Sequence, residues 1–405
     1  MDLRIRSIEA SELELFQRTM GVPFFFDPPP GMAERFEKTI ELERLRAAFD
    51  GEQMVATFGA FTLQMMVPGG KLPTAGTTVV TVLPTHRRQG LLRTLMTQHL
   101  GEVHERGEPL AALWASESSI YGRFGYGSAS ERAVTKIDKS DARLREPDDI
   151  SGSMRMVDRE QAIRVFPEVY DQAMQSRPGM STRDRSWWEH RILADPKDLR
   201  FGASEHRRVV HVREDRPVGY VLYRTRTDSQ SWETELHVVE LIGTDSDSEK
   251  ALWQYLFGVD LISTISYWNQ AVDDSLRWWL EQPREMERKI TDGIWVRPVD
   301  VIAALEGRRY SSPGSLMFAM RDALCPWNDG VYQLDVDDGG AARCRLTDGT
   351  PDLEWTPEGL GSAYLGGHRV EELGRAGVIR GSAEALRRAD AMFAWDRAPW
   401  CPELF

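Results

Sequence analysis

The sequence predicts a mixed α/β protein built from three consecutive units, and three observations carry that reading. The chain has 405 residues, more than one core of the usual ~150 residues accommodates. β-branched runs alternate with stretches of helical period as far as residue 296. Beyond that point short strand-like runs are broken by Asp337-Asp338-Gly339-Gly340 and Thr347-Asp348-Gly349-Thr350, turn signals expected of hairpins in an α+β unit. The expected units are residues 1–147, 148–296 and 297–405, with the first cut in the polar stretch 143–153.

In the first unit, helical patterns cover residues 10–20 and 32–48. A strand over Met54–Val67 runs into the turn Pro68-Gly69-Gly70, and the β-branched run Thr77–Leu83 is stopped by Pro84. Leu92, Leu95, Met96, Leu100 and Val103 recur at amphipathic helical spacing up to Gly107, followed by an apolar strand over Pro109–Ala115. The second unit repeats this order, with a helix over 159–175, strands over Pro217–Tyr223 and Leu236–Ile242, a helix carrying Leu252, Tyr255, Leu256 and Val259, and a strand over Leu261–Ser266. The third opens with a helix over Val299–Glu306.

Composition excludes several functions. Lys and Arg number 50 against 63 Asp and Glu, a net charge of −13 that is the wrong sign for holding nucleic acid by phosphate neutralisation. A small cationic partner fits better. Cys325, Cys344 and Cys401 are odd in number and widely spaced, so neither a disulfide framework nor a Cys-x-x-Cys metal site is available. His99 and His104 are five apart and face different ways on a helix, so no metal is expected. The opening residues Met1–Ser7 alternate like a strand without a signal-peptide core, and no apolar run reaches the ~20 residues of a membrane helix. A cytoplasmic protein without membrane partners is the expectation. No Gly-x-Ser-x-Gly elbow or Gly-x-x-x-x-Gly-Lys-Ser/Thr loop occurs, which removes common hydrolase and nucleoside-triphosphatase readings.

The most informative window is Val80-Thr81-Val82-Leu83-Pro84-Thr85-His86-Arg87-Arg88-Gln89-Gly90-Leu91-Leu92-Arg93. A buried strand enters a loop with two arginines and a glycine, and the loop opens into an amphipathic helix. Free N–H groups and the positive end of the dipole make such a helix start an anion site, and Gly90 allows close backbone approach. Arg87 and Arg88 can add charge-assisted hydrogen bonds to phosphate oxygens. A second window, Ala115-Ser116-Glu117-Ser118-Ser119-Ile120-Tyr121-Gly122-Arg123-Phe124-Gly125-Tyr126-Gly127, follows the next strand.

The first window resembles the coenzyme A motif of the GNAT acetyltransferases, whose Arg/Gln-x-x-Gly-x-Gly/Ala loop is matched by Arg87-x-x-Gly90-x-Leu92. The second carries their Tyr-x-x-x-Gly-aromatic landmark, and the two together resemble the Eis (enhanced intracellular survival) subfamily, in which the departure at Leu92 is expected. The resemblance spans nearly the whole chain and implies tandem GNAT folds followed by a sterol-carrier-protein-like α+β domain. It implies acetyl-CoA as co-substrate, held by Val80, Thr81 and Val82 along the strand, by Arg87, Arg88, Gln89, Gly90, Leu91, Leu92 and Arg93 at the pyrophosphate, and by Ser116 and Glu117 near the thioester. The segment Gly243–Ser248 has no arginine and no Arg-x-x-Gly and carries two aspartates, so the second unit is expected to hold no cofactor.

Tyr121 matches the family's general acid, with Tyr126 as the competing hydroxyl, and the carboxylate of Phe405 matches its general base. A free carboxylate titrates at about 3.3–3.7, so burial or a water relay must assist it. Phe24, Asp27, Phe36 and Glu403 are the acceptor-site candidates, since aromatic walls with carboxylates suit a polyamine or amino sugar. The implied activity is N-acetylation of aminoglycoside-like or polyamine amines. Acetylation of protein lysines and lipid or acyl-CoA binding by residues 297–405 are the alternatives. The family also implies a homo-oligomer, a hexamer.

Overall fold

The computed structural model describes residues 3–146 and 151–405. Strands β1 (Leu3–Ser7), β2 (Leu45–Asp50), β3 (Gln53–Val67), β4 (Gly70–Val82), β5 (Leu110–Trp114) and β6 (Gly127–Ser128) are laid down first. The chain then forms a second sheet from β7 (Glu131–Asp138), β8 (Ser153–Met156), β9 (Arg207–Arg213), β10 (Arg216–Thr227), β11 (Thr234–Gly243), β12 (Thr264–Ala271) and β13 (Glu287–Asp292), in the order β13-β7-β12-β11-β10-β9-β8. It returns with β14 (Ile294–Pro298) to complete the first sheet, β1-β2-β3-β4-β5-β14-β6. A third sheet, β17-β16-β15-β18-β19, comprises β15 (Gly314–Met320), β16 (Gly330–Val336), β17 (Ala342–Thr347), β18 (Leu353–Trp355) and β19 (Arg380–Gly381).

Two compact units result. One holds Met1–Ser130, Arg177–Thr182 and Asp292–Phe405; the other holds Glu131–Ser176 and Arg183–Thr291. The expected cut at 147/148 lies outside the described residues. On its near side β7 pairs antiparallel with β12 of the second sheet, while β14, which spans the expected cut at 296/297, pairs antiparallel with β5 of the first. Local patterning reports that a strand exists but not which sheet it joins.

The periodic segments form as expected. In the helix Leu91–Glu105, Leu91, Leu95, Met96, Leu100 and Val103 are buried against Val55, Phe58, Ala111 and Leu113 of the first sheet. Three expectations need correction. The helix expected over 32–48 ends at Glu37, and residues 45–50 form β2 because β1 and β3 hydrogen-bond it from both sides. The strand expected from Thr77 begins at Gly70. Pro73 is tolerated within it because pairing with β5 starts only at Thr74, so its missing N–H costs no bond on that side. The turn at 337–340 joins the hairpin β16–β17, but the one at 347–350 leads to β18, which pairs parallel with β15. Among the described residues no helix is long and apolar enough to cross a membrane.

Two buried arginines fix the frame of the first unit. Arg44, beside β2, grips Glu108 with two parallel bonds of 2.6 and 2.7 Å and also donates to Thr62 at 2.7 Å. Arg308, 1 % exposed, donates to the carbonyls of Tyr364 and Phe393, the last residues of the helices Pro357–Tyr364 and Ala383–Phe393. It thereby neutralises the negative ends of two helix dipoles at once, with the rings of Tyr310, Tyr364 and Phe393 around it.

Removing one member of a buried ion pair strands the other charge, a loss of about 3–5 kcal/mol. Arg44→Met is therefore expected to lower the unfolding midpoint of the unit containing the first sheet, and Arg44→Met with Glu108→Leu to recover most of the loss. Urea unfolding of the three proteins checks this.

Candidate active site

The site grows out of an irregularity in β4. Thr57 pairs with Thr81 and Gly59 with Thr78, so Val79 and Val80 together oppose Phe58, a β-bulge. Val79 has φ +49°, a left-handed conformation that a β-branched residue rarely adopts. The Thr57 hydroxyl stabilises it, lying 2.7 Å from the Val79 carbonyl and 2.6 Å from the Thr81 hydroxyl. β4 and β5 pair only at Thr74–Gly76 with Leu110–Ala112. Among the described residues no strand lies beside 77–82 on that side, and the Arg87 Nε donates to the Val82 carbonyl at 3.3 Å. Val80 and Val82 are half-buried, while the Thr81 side chain is buried toward Thr57 and can offer only its backbone there.

β4 feeds the loop 83–90 and the helix Leu91–Glu105. Arg87, Arg88, Gln89, Gly90 and Arg93 are exposed, Leu92 is half-buried and Leu91 anchors the helix in the core. Arg88 and Gly90 both have left-handed backbone, φ +64° and +84°. No side chain caps this helix, and a Cβ on Gly90 would meet nothing within 4 Å. The first-turn N–H groups thus face open space flanked by guanidinium groups, which can hold a pyrophosphate. The corresponding strand-to-helix junction of the second unit differs. There Asp245 caps the helix Ser246–Gly258 by accepting from the Ser248 N–H at 2.8 Å and pairs with Arg213. An anion at that junction would meet a carboxylate.

Beyond β5, Ser116 and Glu117 are exposed and lead into Tyr121, which is 5 % exposed. Burial raises the Tyr121 pKa above its ordinary value, the Ser116 hydroxyl opposing the shift and the Glu117 charge adding to it. Tyr126 lies edge-on to Tyr121, ring centroids 6.1 Å apart, and is fully buried. Its hydroxyl is 3.0 Å from that of Thr77, which is 2.9 Å from His99 Nε2. Burial and the charges of Arg44 and Arg46 push His99 down to about 3, so this chain of three groups is neutral. The Tyr126 hydroxyl is therefore committed to Thr77 inside the core, whereas Tyr121, also buried, is 5 % exposed.

The loop carrying both tyrosines is braced by residues that sequence reasoning missed. Arg297 on β14 donates to the Phe124 carbonyl at 2.9 Å and holds Asp322 with bonds of 2.7 and 2.6 Å, both side chains being buried. Gly125 has φ +83°, and a Cβ there would come within 2.6 Å of Arg297 Nε. An arginine inside the otherwise apolar run Ile294–Pro298 was the available signal.

The tail reaches the same strand from its other face. Ala111 and Leu113 of β5 share a cluster with Tyr121 and Tyr126, whereas Leu110, Ala112 and Trp114 share one with Cys401 and Phe405. Tyr121 and Phe405 therefore belong to clusters on opposite faces of β5.

The four acceptor-site candidates lie in different settings. Phe24 is 42 % exposed at the end of the helix Leu13–Phe24, and Asp27 lines a surface cavity of about 380 Å³ together with Arg18, Phe25 and Phe26. Arg18 in that lining lies 3.8 Å from Glu14. Phe36 packs edge-on against Phe61 of β3 at 6.0 Å, and Glu403 is buried.

Comparison with known proteins places this geometry. Residues 4–129 and 179–298 each match an acetyltransferase (GNAT) domain, and residues 301–402 match a sterol carrier protein domain. N-acetyltransferase Eis of Mycobacterium tuberculosis is 34 % identical over 353 residues, covering 85 % of this chain and 84 % of that protein. The chain is a member of the Eis family of GNAT N-acetyltransferases. An uncharacterized N-acetyltransferase of Streptomyces avermitilis is 38 % identical over 379 residues, 92 % of each chain. The crystal structure of Eis1 from Mycobacterium abscessus superposes with a TM-score of 0.85 at 31 % identity, covering all of both chains. The Eis-family fold is thus tandem GNAT domains followed by a sterol-carrier-like domain, and the enzyme is an acetyl-CoA-dependent acetyltransferase.

His99 titrates near 3 folded but near 6.5 unfolded. Between those values only the unfolded chain gains the proton, so acidification from pH 6.5 toward 3 lowers stability by up to about 1.4 kcal/mol per pH unit. His99→Gln is expected to flatten the fall in urea stability between pH 7 and pH 5; an unaltered slope contradicts a buried neutral imidazole.

Proposed function

We propose that this enzyme acetylates primary amines of aminoglycoside-like or polyamine acceptors by direct transfer, with Tyr121 as general acid and the carboxylate of Phe405 as general base. The observation that carries the reading is the pairing of a β4 edge left without a strand beyond Gly76 with an uncapped, arginine-flanked helix start; Val80, Val82 and Leu91 share an apolar cluster with Tyr121. Bound acetyl-CoA supplies a thioester as acyl donor. The backbone of Val80, Thr81 and Val82 lies alongside its pantetheine arm. Arg87, Arg88, Arg93 and the amides of Gln89, Gly90, Leu91 and Leu92 neutralise and orient the pyrophosphate. Ser116 and Glu117 border the reacting end.

The acceptor arrives as an ammonium, and the Phe405 carboxylate, directly or through a water, takes its proton. The freed nitrogen bonds to the acyl carbon, the carbon–sulfur bond breaks, the Tyr121 hydroxyl protonates the departing sulfur, and the second proton lost by the nitrogen restores Tyr121, while the one taken by Phe405 passes to water. A raised tyrosine pKa keeps that proton in place until negative charge develops on sulfur. Asp27 and the adjoining phenylalanines supply charge and apolar surface for a cationic acceptor, while Phe24, Phe36 and Glu403 shape its surroundings. In the sterol-carrier-like domain, Phe318 stacks on Tyr332 at 5.2 Å and Trp355 meets Phe393 inside a packed core, which favours a structural role over lipid carriage.

Thiol release from acetyl-CoA is expected to require an added amine, faster with kanamycin or spermidine than with a lysine peptide. A preference for the peptide would transfer the assignment to protein lysines, and release indifferent to any amine would remove it. Tyr121→Phe is expected to lose most turnover, roughly a hundredfold or more for a missing acid, at unchanged acetyl-CoA affinity. Full turnover in that variant would take Tyr121 out of the mechanism.

A further inference from the structure

Residues 177–182 leave the second unit and pack into the first. They extend β3: the Met66 N–H donates to the Met180 carbonyl at 2.7 Å, the Gly179 N–H to Met66 at 2.8 Å and the Thr182 N–H to Gln64 at 2.9 Å. The other side of this strap holds the tail. Arg177 Nη1 donates to the Ala398 carbonyl at 2.9 Å, and its guanidinium lies 5.9 Å from the centre of the Trp400 ring. The Trp400 N–H donates to the Pro178 carbonyl at 2.9 Å. Gly179, at φ +94°, permits the approach, since a Cβ there would stand 3.0–3.2 Å from the Trp400 backbone. Arg177, Pro178, Gly179, Trp400 and Cys401 are all buried.

This contact is placed to matter for catalysis. Four residues separate Trp400 from Phe405; Cys401 belongs to the cluster that includes Leu110 and Ala112 of β5, and Phe405 packs against it. A tail without regular structure after Phe393 must be fixed by side contacts if its last residue is to meet a reacting atom. The strap supplies them and is itself fastened to β3, the strand that holds the bulge of β4.

We infer that Arg177 is a positioning residue of the acetyl transfer: with the strap 177–182 it clamps the backbone at 398–400 and so sets where Phe405 lies. The catalytic part of this inference rests on the Phe405 carboxylate acting as base; the clamping part does not.

The test uses the full-length enzyme with Arg177→Ala, Arg177→Lys, a variant lacking Phe405, and Arg177→Ala combined with that deletion. Arg177→Ala is expected to speed amide hydrogen exchange across 398–405 by roughly tenfold while β3 and β4 keep their protection. It should lower kcat by roughly ten- to a hundredfold with little change in KM for acetyl-CoA. Arg177→Lys, which retains a cation and a donor, should recover part of the rate. Without Phe405, Arg177→Ala should cost nothing further. Unaltered tail exchange in Arg177→Ala overturns the clamp, and exchange accelerated throughout the first unit overturns it in favour of a general structural role. Independent, multiplying losses in the double variant overturn the route through Phe405. Full kcat in the variant lacking Phe405 overturns the carboxylate base itself and leaves the clamp to be judged by tail exchange.

Discussion

Beyond Gly76 the fourth strand of the first sheet keeps a hydrogen-bonded neighbour on only one side. Val79 is held in a left-handed conformation that costs of order 1–3 kcal/mol, and Thr57 compensates with hydrogen bonds that a regular ladder would not need. Pairing with β5 ends at Gly76 and the bulge follows at Val79 and Val80, so this stretch of β4 has β3 as its one strand neighbour among the described residues. Next along the chain come a helix start that no side chain caps and the arginines around it. The same type of junction in the second unit is closed by Asp245, so two copies of one architecture differ by whether a carboxylate or open space meets the helix.

The third domain is tied to the first sheet. Arg297 and Asp322 connect β14 and the loop after β15 to the turn that carries Tyr121 and Tyr126. Arg308 gathers the ends of two helices, one of which launches the tail. The tail then runs along the strap 177–182 to the underside of β5. An arginine recurs at each junction because its planar donors satisfy carbonyls and carboxylates that would otherwise be buried without partners. Phe405 packs against a cluster that includes Leu110 and Ala112 of a sheet whose first strand begins at Leu3.

Much of the fold is legible in the sequence where one segment decides its own structure. The β-branched run ending at Pro84, the heptad-like leucines after Gly90 and the arginines between them specify strand, loop and helix locally. Tyr121 and Tyr126 are visible as a motif, but only the Thr77–His99 chain separates their surroundings, because residues 77, 99 and 126 meet through the fold. β2 was hidden because Leu45-Arg46-Ala47-Ala48 has helical propensity that pairing on both sides overrides. The exchange of β7 and β14 between sheets, the Arg297–Asp322 pair and the strap around Met180 rest on contacts between distant segments, for which hydrophobic period carries no signal. The acceptor candidates were the least legible. Charge and aromaticity nominated Phe24, Asp27, Phe36 and Glu403 alike, whereas burial separates an exposed Asp27 from a buried Glu403.

The central claim is that the opening between β4 and β5 brings the thioester to Tyr121 and the tail to the thioester. A crystal structure with coenzyme A and an amine acceptor bound tests it most directly. The account requires the pantetheine along residues 77–82, the sulfur within hydrogen-bond reach of the Tyr121 hydroxyl, about 3–3.5 Å, and the Phe405 carboxylate linked to the acceptor nitrogen directly or through one water. A sulfur beside Tyr126, or a Phe405 carboxylate turned away from the acceptor, would contradict it.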